Sequence, residues 1–113
     1  MLPSIAGAVP DHALTLITCG SRDEARAIAR RLVESRLAAG VQVIPIESVY
    51  RWEGEIVDDQ EWLLMAKTRG EWFDAIRSVV DEMHSYDVPP VLMIEMDLAS
   101  GPDLDWIDQN VGG

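Results

Sequence analysis

The stretch Ser48-Val49-Tyr50-Arg51-Trp52-Glu53-Gly54-Glu55-Ile56 decides how the chain is read. Tyr50 and Trp52 stand two apart and so share one face of a strand, and the chain turns at Glu53-Gly54 just beyond them. Two large aromatics beside an acidic hairpin tip need a cover that the hairpin itself does not supply.

Working outward, Val41 to Trp52 (VQVIPIESVYRW) is strand-like with Pro45 inside it. Proline removes a ladder donor, so a bulge or bend is expected there. The hairpin partner begins at Glu61 (EWLLMAKT), which sets Trp62, Leu64 and Ala66 on one face and Leu63, Met65 and Lys67 on the other. Upstream, Ala13 to Cys19 (ALTLITC) is short, apolar and β-rich, and predicts a buried strand. Ser21 with Glu24 three residues later forms a capping box, and Ala25, Ile28, Ala29, Leu32, Val33 and Leu37 continue at helical spacing until Gly40, the expected stop. Downstream, Trp72, Phe73, Ile76, Val79, Val80 and Met83 restore the helical period, and VLMIEM from Val91 reads as a last strand after Pro89-Pro90. Ser100 with Asp103, and Pro102 in the first turn, start a short terminal helix carrying Leu104, Trp106 and Ile107.

The order β-α-β-β-α-β predicts an α+β domain of the ferredoxin-like split βαβ type, with a short C-terminal helix added. Two helices then cover one face of a four-stranded antiparallel sheet and leave the other bare. Leu63 and Met65, or else Trp62 and Leu64, must meet something on that bare face. Self-association is the simplest cover, because an exposed apolar patch of several hundred Å² normally marks an interface.

At 113 residues and 48% hydrophobic content the chain suits one domain. We place it at residues 13–113, with residues 1–12 (MLPSIAGAVPDH) as an N-terminal extension that lacks the positive start of a secretory signal. The formal charge of −11 speaks against a nucleic-acid partner, since phosphate binding needs clustered Lys and Arg. No apolar run approaches the roughly 20 residues needed to span a bilayer, so no membrane partner is expected. The single cysteine, Cys19, suits a reducing compartment, and the default location is cytoplasmic.

For chemistry, Cys19 with only His12 and His84 as candidate bases reads as a plain core cysteine, and no enzymatic activity is expected. His84 in EMHSYDV lies among Asp81, Glu82 and Asp87, a mix of imidazole and carboxylate that can hold a divalent ion, although no HxH, CxxC or HExxH spacing is present. Lys67, the only lysine, is expected to pair with Glu61 or Glu53, or to contact an anion in an intersubunit cleft. No glycine-rich phosphate loop occurs.

The segments RLVESRLAAGVQVIP, SVYRWEGEI, EWLLMAKT, MHSYDVP and DLDW, in this order and spacing from about Leu14 to Trp106, resemble the CutA1 divalent-cation tolerance proteins. The resemblance implies a fold related to the PII signalling proteins and a homotrimer whose long hairpins pack on neighbouring subunits, which would cover Tyr50 and Trp52. It further implies a role in tolerance of divalent metals, with copper or zinc as candidate ions and no required cofactor. Carried over by position, His84 and Tyr86 fall on the family's H-P-Y motif, Glu61 on the acidic start of the third strand, Lys67 on the K-T pair and Trp106 on the C-terminal tryptophan. The expected metal residues are therefore His84, Asp87 and Glu61. Tyr50, Trp52, Lys67 and Tyr86 would line the ligand cleft, and Tyr50, Trp52 and Trp106 the trimer interface. Two departures weaken a metal site: Gly40 stands where the family commonly has cysteine, and His84-Ser85-Tyr86-Asp87-Val88-Pro89-Pro90 lacks the motif's first proline and its glutamate. A PII-like sensor of an anionic metabolite and a trimeric scaffold for a protein partner are the alternatives.

Overall fold

The computed structural model describes residues 9–113. The elements follow the expected order: β1 (Ala13–Cys19), α1 (Arg22–Glu34), β2 (Gly40–Trp52), β3 (Glu55–Thr68), a 3₁₀ turn (Gly70–Trp72) continuing into α2 (Phe73–Met83), β4 (Val91–Glu95) and α3 (Gly101–Asn110). The strands form one antiparallel sheet in the order β2-β3-β1-β4, the ferredoxin-like arrangement within an α+β fold.

Strict alternation along β1 turns Ala13, Thr15, Ile17 and Cys19 inward beneath α1 and α2. Ala25, Ile28 and Leu32 of α1, Leu64 and Ala66 of β3, and Ile76 and Val80 of α2 complete this core. On the opposite face Leu16 stands between Met65 and Leu92, and Leu14 between Lys67 and Ile94. Leu92 and Ile94 are about half exposed in the protomer, at 50% and 48%. Leu63 and Met65 therefore belong to the bare face, while Leu64 and Ala66 belong to the core.

Ser21 caps α1 by accepting the Glu24 N–H at 3.2 Å. The reciprocal half of the capping box is absent, because the Glu24 carboxylate accepts the Ser85 N–H instead, at 2.8 Å. The helix also ends before its expected stop. Arg36 takes the left-handed conformation (φ 59°), and the Leu37 and Arg36 N–H groups return to the Leu32 and Val33 carbonyls at 2.9 and 3.1 Å. A non-glycine residue there costs roughly 1–2 kcal/mol. The Arg36 guanidinium offsets it by donating to the Gln109 and Gly112 carbonyls of the C-terminal segment. Gly40 is instead the first residue of β2, where a Cβ would lie 2.8 Å from the Trp106 ring.

The β2–β3 ladder runs without interruption from Gly40↔Lys67 to Trp52↔Glu55, so Pro45 produces no bulge. β2 is an edge strand, and a proline whose missing N–H faces away from the ladder disturbs nothing. Glu53 (φ 49°) and Gly54 (φ 82°) form the two-residue tip, the left-handed pair that a type I′ turn requires. β1 pairs with β3 only from Trp62 to Thr68, so the distal half of the hairpin projects as a two-stranded ribbon.

The N-terminal extension expected at residues 1–12 falls mostly on residues 1–8, outside the described residues. Beyond them, the Pro10 carbonyl accepts the Gly70 N–H at 3.0 Å and the His12 carbonyl accepts the Met96 N–H at 2.9 Å. No helix among the described residues is long and apolar enough to cross a membrane.

Candidate functional site

The polar chemistry gathers where β1 ends, α1 begins and α2 stops. His84 is the C-cap of α2, held by its N–H to the Val80 carbonyl at 2.8 Å. Its side chain is fully buried. Nδ1 accepts the Tyr86 N–H at 3.1 Å, which leaves Nε2 as the N–H that donates to the Thr18 carbonyl at 2.7 Å. The imidazole thus stitches the loop after α2 to β1.

Beside it, one Glu24 oxygen lies 3.7 Å from Nδ1, while the same carboxylate accepts from the Ser85 N–H and hydroxyl. The Cys19 thiol completes the group. Donor atoms of Cys19, Glu24 and His84 lie within 4.8 Å of one another. Burial, and then the negative charge of Glu24 and Glu61, pushes the thiol up to about 12. It is therefore protonated at neutral pH and is no activated nucleophile.

Tyr86 extends the arrangement. Its ring tilts against His84 with centroids 4.6 Å apart, and its hydroxyl donates to Glu61 at 2.8 Å. Burial, followed by that bond, raises the phenol, so Tyr86 stays a neutral donor. Gly20 makes the approach possible, since a Cβ there would lie 2.9 Å from the Tyr86 oxygen. Glu61, only 5% exposed, is thereby satisfied through Tyr86, and Tyr50 donates to Asp59 at 3.2 Å farther along the ribbon.

The expected metal residues are only partly brought together. His84 is in the donor cluster; Asp87 is exposed on the following loop, and Glu61 is joined to His84 only through Tyr86. Cys19 and Glu24 were not expected as partners of His84. The available sequence signal was that the end of β1 and the first turn of α1 flank one tight connection, and the ferredoxin-like topology brings the end of α2 alongside it.

Lys67 is also placed differently from the expectation that pairs it with Glu61 or Glu53. Its register partner is Gly40, at the far end of the hairpin from Trp52↔Glu55. Its ammonium lies 5.9 Å from the centre of the Trp106 ring, and among the described residues no carboxylate pairs with it. Ten residues along β3 separate it from Val57, the partner of Tyr50, about 33 Å at ~3.3 Å per residue. A cleft containing both Lys67 and Tyr50 can therefore form only between copies of the chain.

A second polar cluster escaped the sequence reading. Arg69 donates to Asp108 at 2.7 Å and to Glu71 at 3.1 Å, and His12 Nε2 lies 2.9 Å from the same Asp108 oxygen. It ties the start of β1, the end of β3 and α3 together.

Known proteins share this fold. The family described as CutA1 divalent ion tolerance protein matches residues 13–110. The divalent-cation tolerance protein CutA of Thermus thermophilus is 42% identical over 100 residues, covering 88% of this chain and 97% of its own. The solved periplasmic divalent cation tolerance protein CutA from Archaeoglobus fulgidus superposes with a TM-score of 0.86 at 42% identity, covering 89% of this chain and 99% of its own. CutA1 from the psychrotrophic bacterium Shewanella sp. SIB1 gives a TM-score of 0.88 at 34% identity, covering 94% and 100%. With a family match over residues 13–110 and solved relatives that superpose along nearly their whole length, the chain belongs to the CutA1 divalent ion tolerance protein family.

Proposed function

We propose that this protein is a non-catalytic homotrimer that responds to divalent cations, binding Cu²⁺ or Zn²⁺ weakly at the Cys19–Glu24–His84 cluster. The observation that carries the reading is that donor set: thiol, carboxylate and imidazole together suit a borderline or soft transition metal. Weak affinity follows from the same geometry. An ion must displace the Tyr86 N–H from Nδ1 and the proton from a thiol held near 12, and each displacement opposes binding. Glu61 and Asp87 add carboxylate charge at the same end of the sheet. The buried, protonated thiol supports a role without covalent catalysis.

The trimer is supported by the bare sheet face and by the hairpin tip, where Val49, Trp52 and Ile56 are all exposed. A single buried, free cysteine suits the cytoplasm, and cell fractionation checks this, since the Archaeoglobus relative is described as periplasmic.

Calorimetry with Cu²⁺ and Zn²⁺ tests the metal reading. Parent protein should bind weakly, release protons on binding and lose affinity as pH falls. Cys19→Ala should abolish the heat while leaving the fold intact by circular dichroism. Equal affinity in the parent and in Cys19→Ala would reject the site. The second reading, a PII-like cleft for an anionic metabolite, is favoured by Lys67 having no carboxylate partner among the described residues. A melting-temperature rise with ATP or 2-oxoglutarate in the absence of Mg²⁺, lost in Lys67→Ala, would put it first.

A further inference from the structure

Away from the metal cluster and the bare sheet face, α1 and β2 enclose a groove of about 300 Å³. Its floor is apolar, formed by Ala29, Val33, Val41 and Val43, and its rim carries Arg26 and Arg30. Val33 is 41% exposed although it lies on a helix packed against the sheet. The two arginines sit one helical turn apart, about 6 Å along the axis, and Arg22 extends the same stripe.

These cations differ from most others in the chain. Arg31 pairs with Glu82, Arg36 is spent on C-terminal carbonyls, Arg51 reaches the Gly54 carbonyl, and Arg69 holds Asp108 and Glu71. The side chains of Arg22, Arg26 and Arg30 make no hydrogen bond or ion pair among the described residues. On a chain of charge −11, two unpaired guanidinium groups on the rim of an apolar trough, with Arg22 one turn beyond, form a local surface of the opposite sign.

We propose that this groove docks an acidic amphipathic peptide segment of a partner protein. The segment would set two aliphatic side chains on the valine floor and carboxylates at one-turn spacing against Arg26 and Arg30. A small free anion would leave the floor uncovered, and a nucleic acid would meet the repulsion of the remaining acidic surface. Glu34 at one end of the groove repels a carboxylate there and so fixes which way the segment lies. The groove is in the helix layer, on the side away from the bare sheet face. The docking requires that a trimer closed through that face leaves the groove open, and it does not depend on metal binding.

The probe is a fluorescein-labelled peptide of about three helical turns, with leucines one turn apart and glutamates beside them, read by anisotropy against the full chain. Parent protein should bind it with a Kd of about 10–100 μM, weakening as salt rises. The double variant Arg26→Glu/Arg30→Glu and the floor variant Val33→Asp should each bind at least roughly ten-fold more weakly, while Arg77→Glu should not differ from the parent. A peptide with lysine in place of glutamate should bind the double charge-reversal variant better than it binds the parent. The proposal is overturned if a sequence-permuted peptide binds equally well, if the charge reversal has no effect, or if the parent fails to bind at about 1 mM. It is also overturned if Val33→Asp changes the mass by light scattering, since the groove is then a contact between copies.

Discussion

Trp52→Ala measures what covers the hairpin. In the protomer Trp52 is 63% exposed, so little more than a third of its surface is hidden. A tryptophan offers roughly 250 Å² for burial, and about 90 Å² of hidden surface at ~25 cal/mol per Å² is worth about 2 kcal/mol. If a second copy covers the remaining ~160 Å², truncation costs about 4 kcal/mol more per copy, and that increment belongs to assembly. Denaturant unfolding at several protein concentrations, with light scattering in parallel, separates the two contributions, because only the second makes the midpoint depend on concentration. The expected result is a trimeric parent whose variant dissociates on dilution and loses well over 2 kcal/mol. A variant that keeps the parent's mass on dilution and loses no more than about 2 kcal/mol refutes the clasp.

Three further outcomes follow from other contacts. Gly40→Ala should displace Trp106, because the new Cβ would lie 2.8 Å from its ring; a shift in tryptophan fluorescence, with a loss of about 1–3 kcal/mol in denaturant melts, checks it. Asp108 is held below the usual carboxylate range, first by its bond from Arg69 and then by His12. A depressed acid stabilises above its unfolded value, near 3.9, so the contribution should be present at neutral pH and vanish as pH drops below about 4. Asp108→Asn should remove that acid-sensitive part of the melting curve, and identical curves for parent and variant would contradict the assignment. Cys19, raised to about 12, should resist iodoacetamide in the native state at pH 8 and react only on unfolding, as followed by mass spectrometry.

The helix and strand periods were legible because each is enforced by one-sided burial, as along β1 and α1. The tip at Glu53-Gly54 was legible because few residue pairs accept two positive φ angles. Gly40 misled because glycine serves both as a helix stop and as a site of close approach; Trp106, sixty-six residues away, makes it the second. Arg36 concealed the true stop, since its left-handed backbone is sustained by carbonyls from the far end of the chain. Pro45 suggested a bulge only while its strand's edge position was unknown. At the site, His84 stood out as an isolated imidazole. Its companions did not, because Cys19 is equally a core residue and Glu24 equally a capping residue until the topology sets them side by side.

The ribbon beyond Trp62 has a consequence for the order of events in the cell. Each of its strands has a single neighbour, and a two-stranded hairpin alone is marginal in water. The backbone amides of Glu55 to Gln60 in a lone protomer should therefore exchange with solvent deuterium far faster than those of β1, which is flanked on both sides. If the proposed trimer covers the ribbon, slow exchange along it would act as a clock for subunit residence, recording how long each copy stays with its neighbours before it is released.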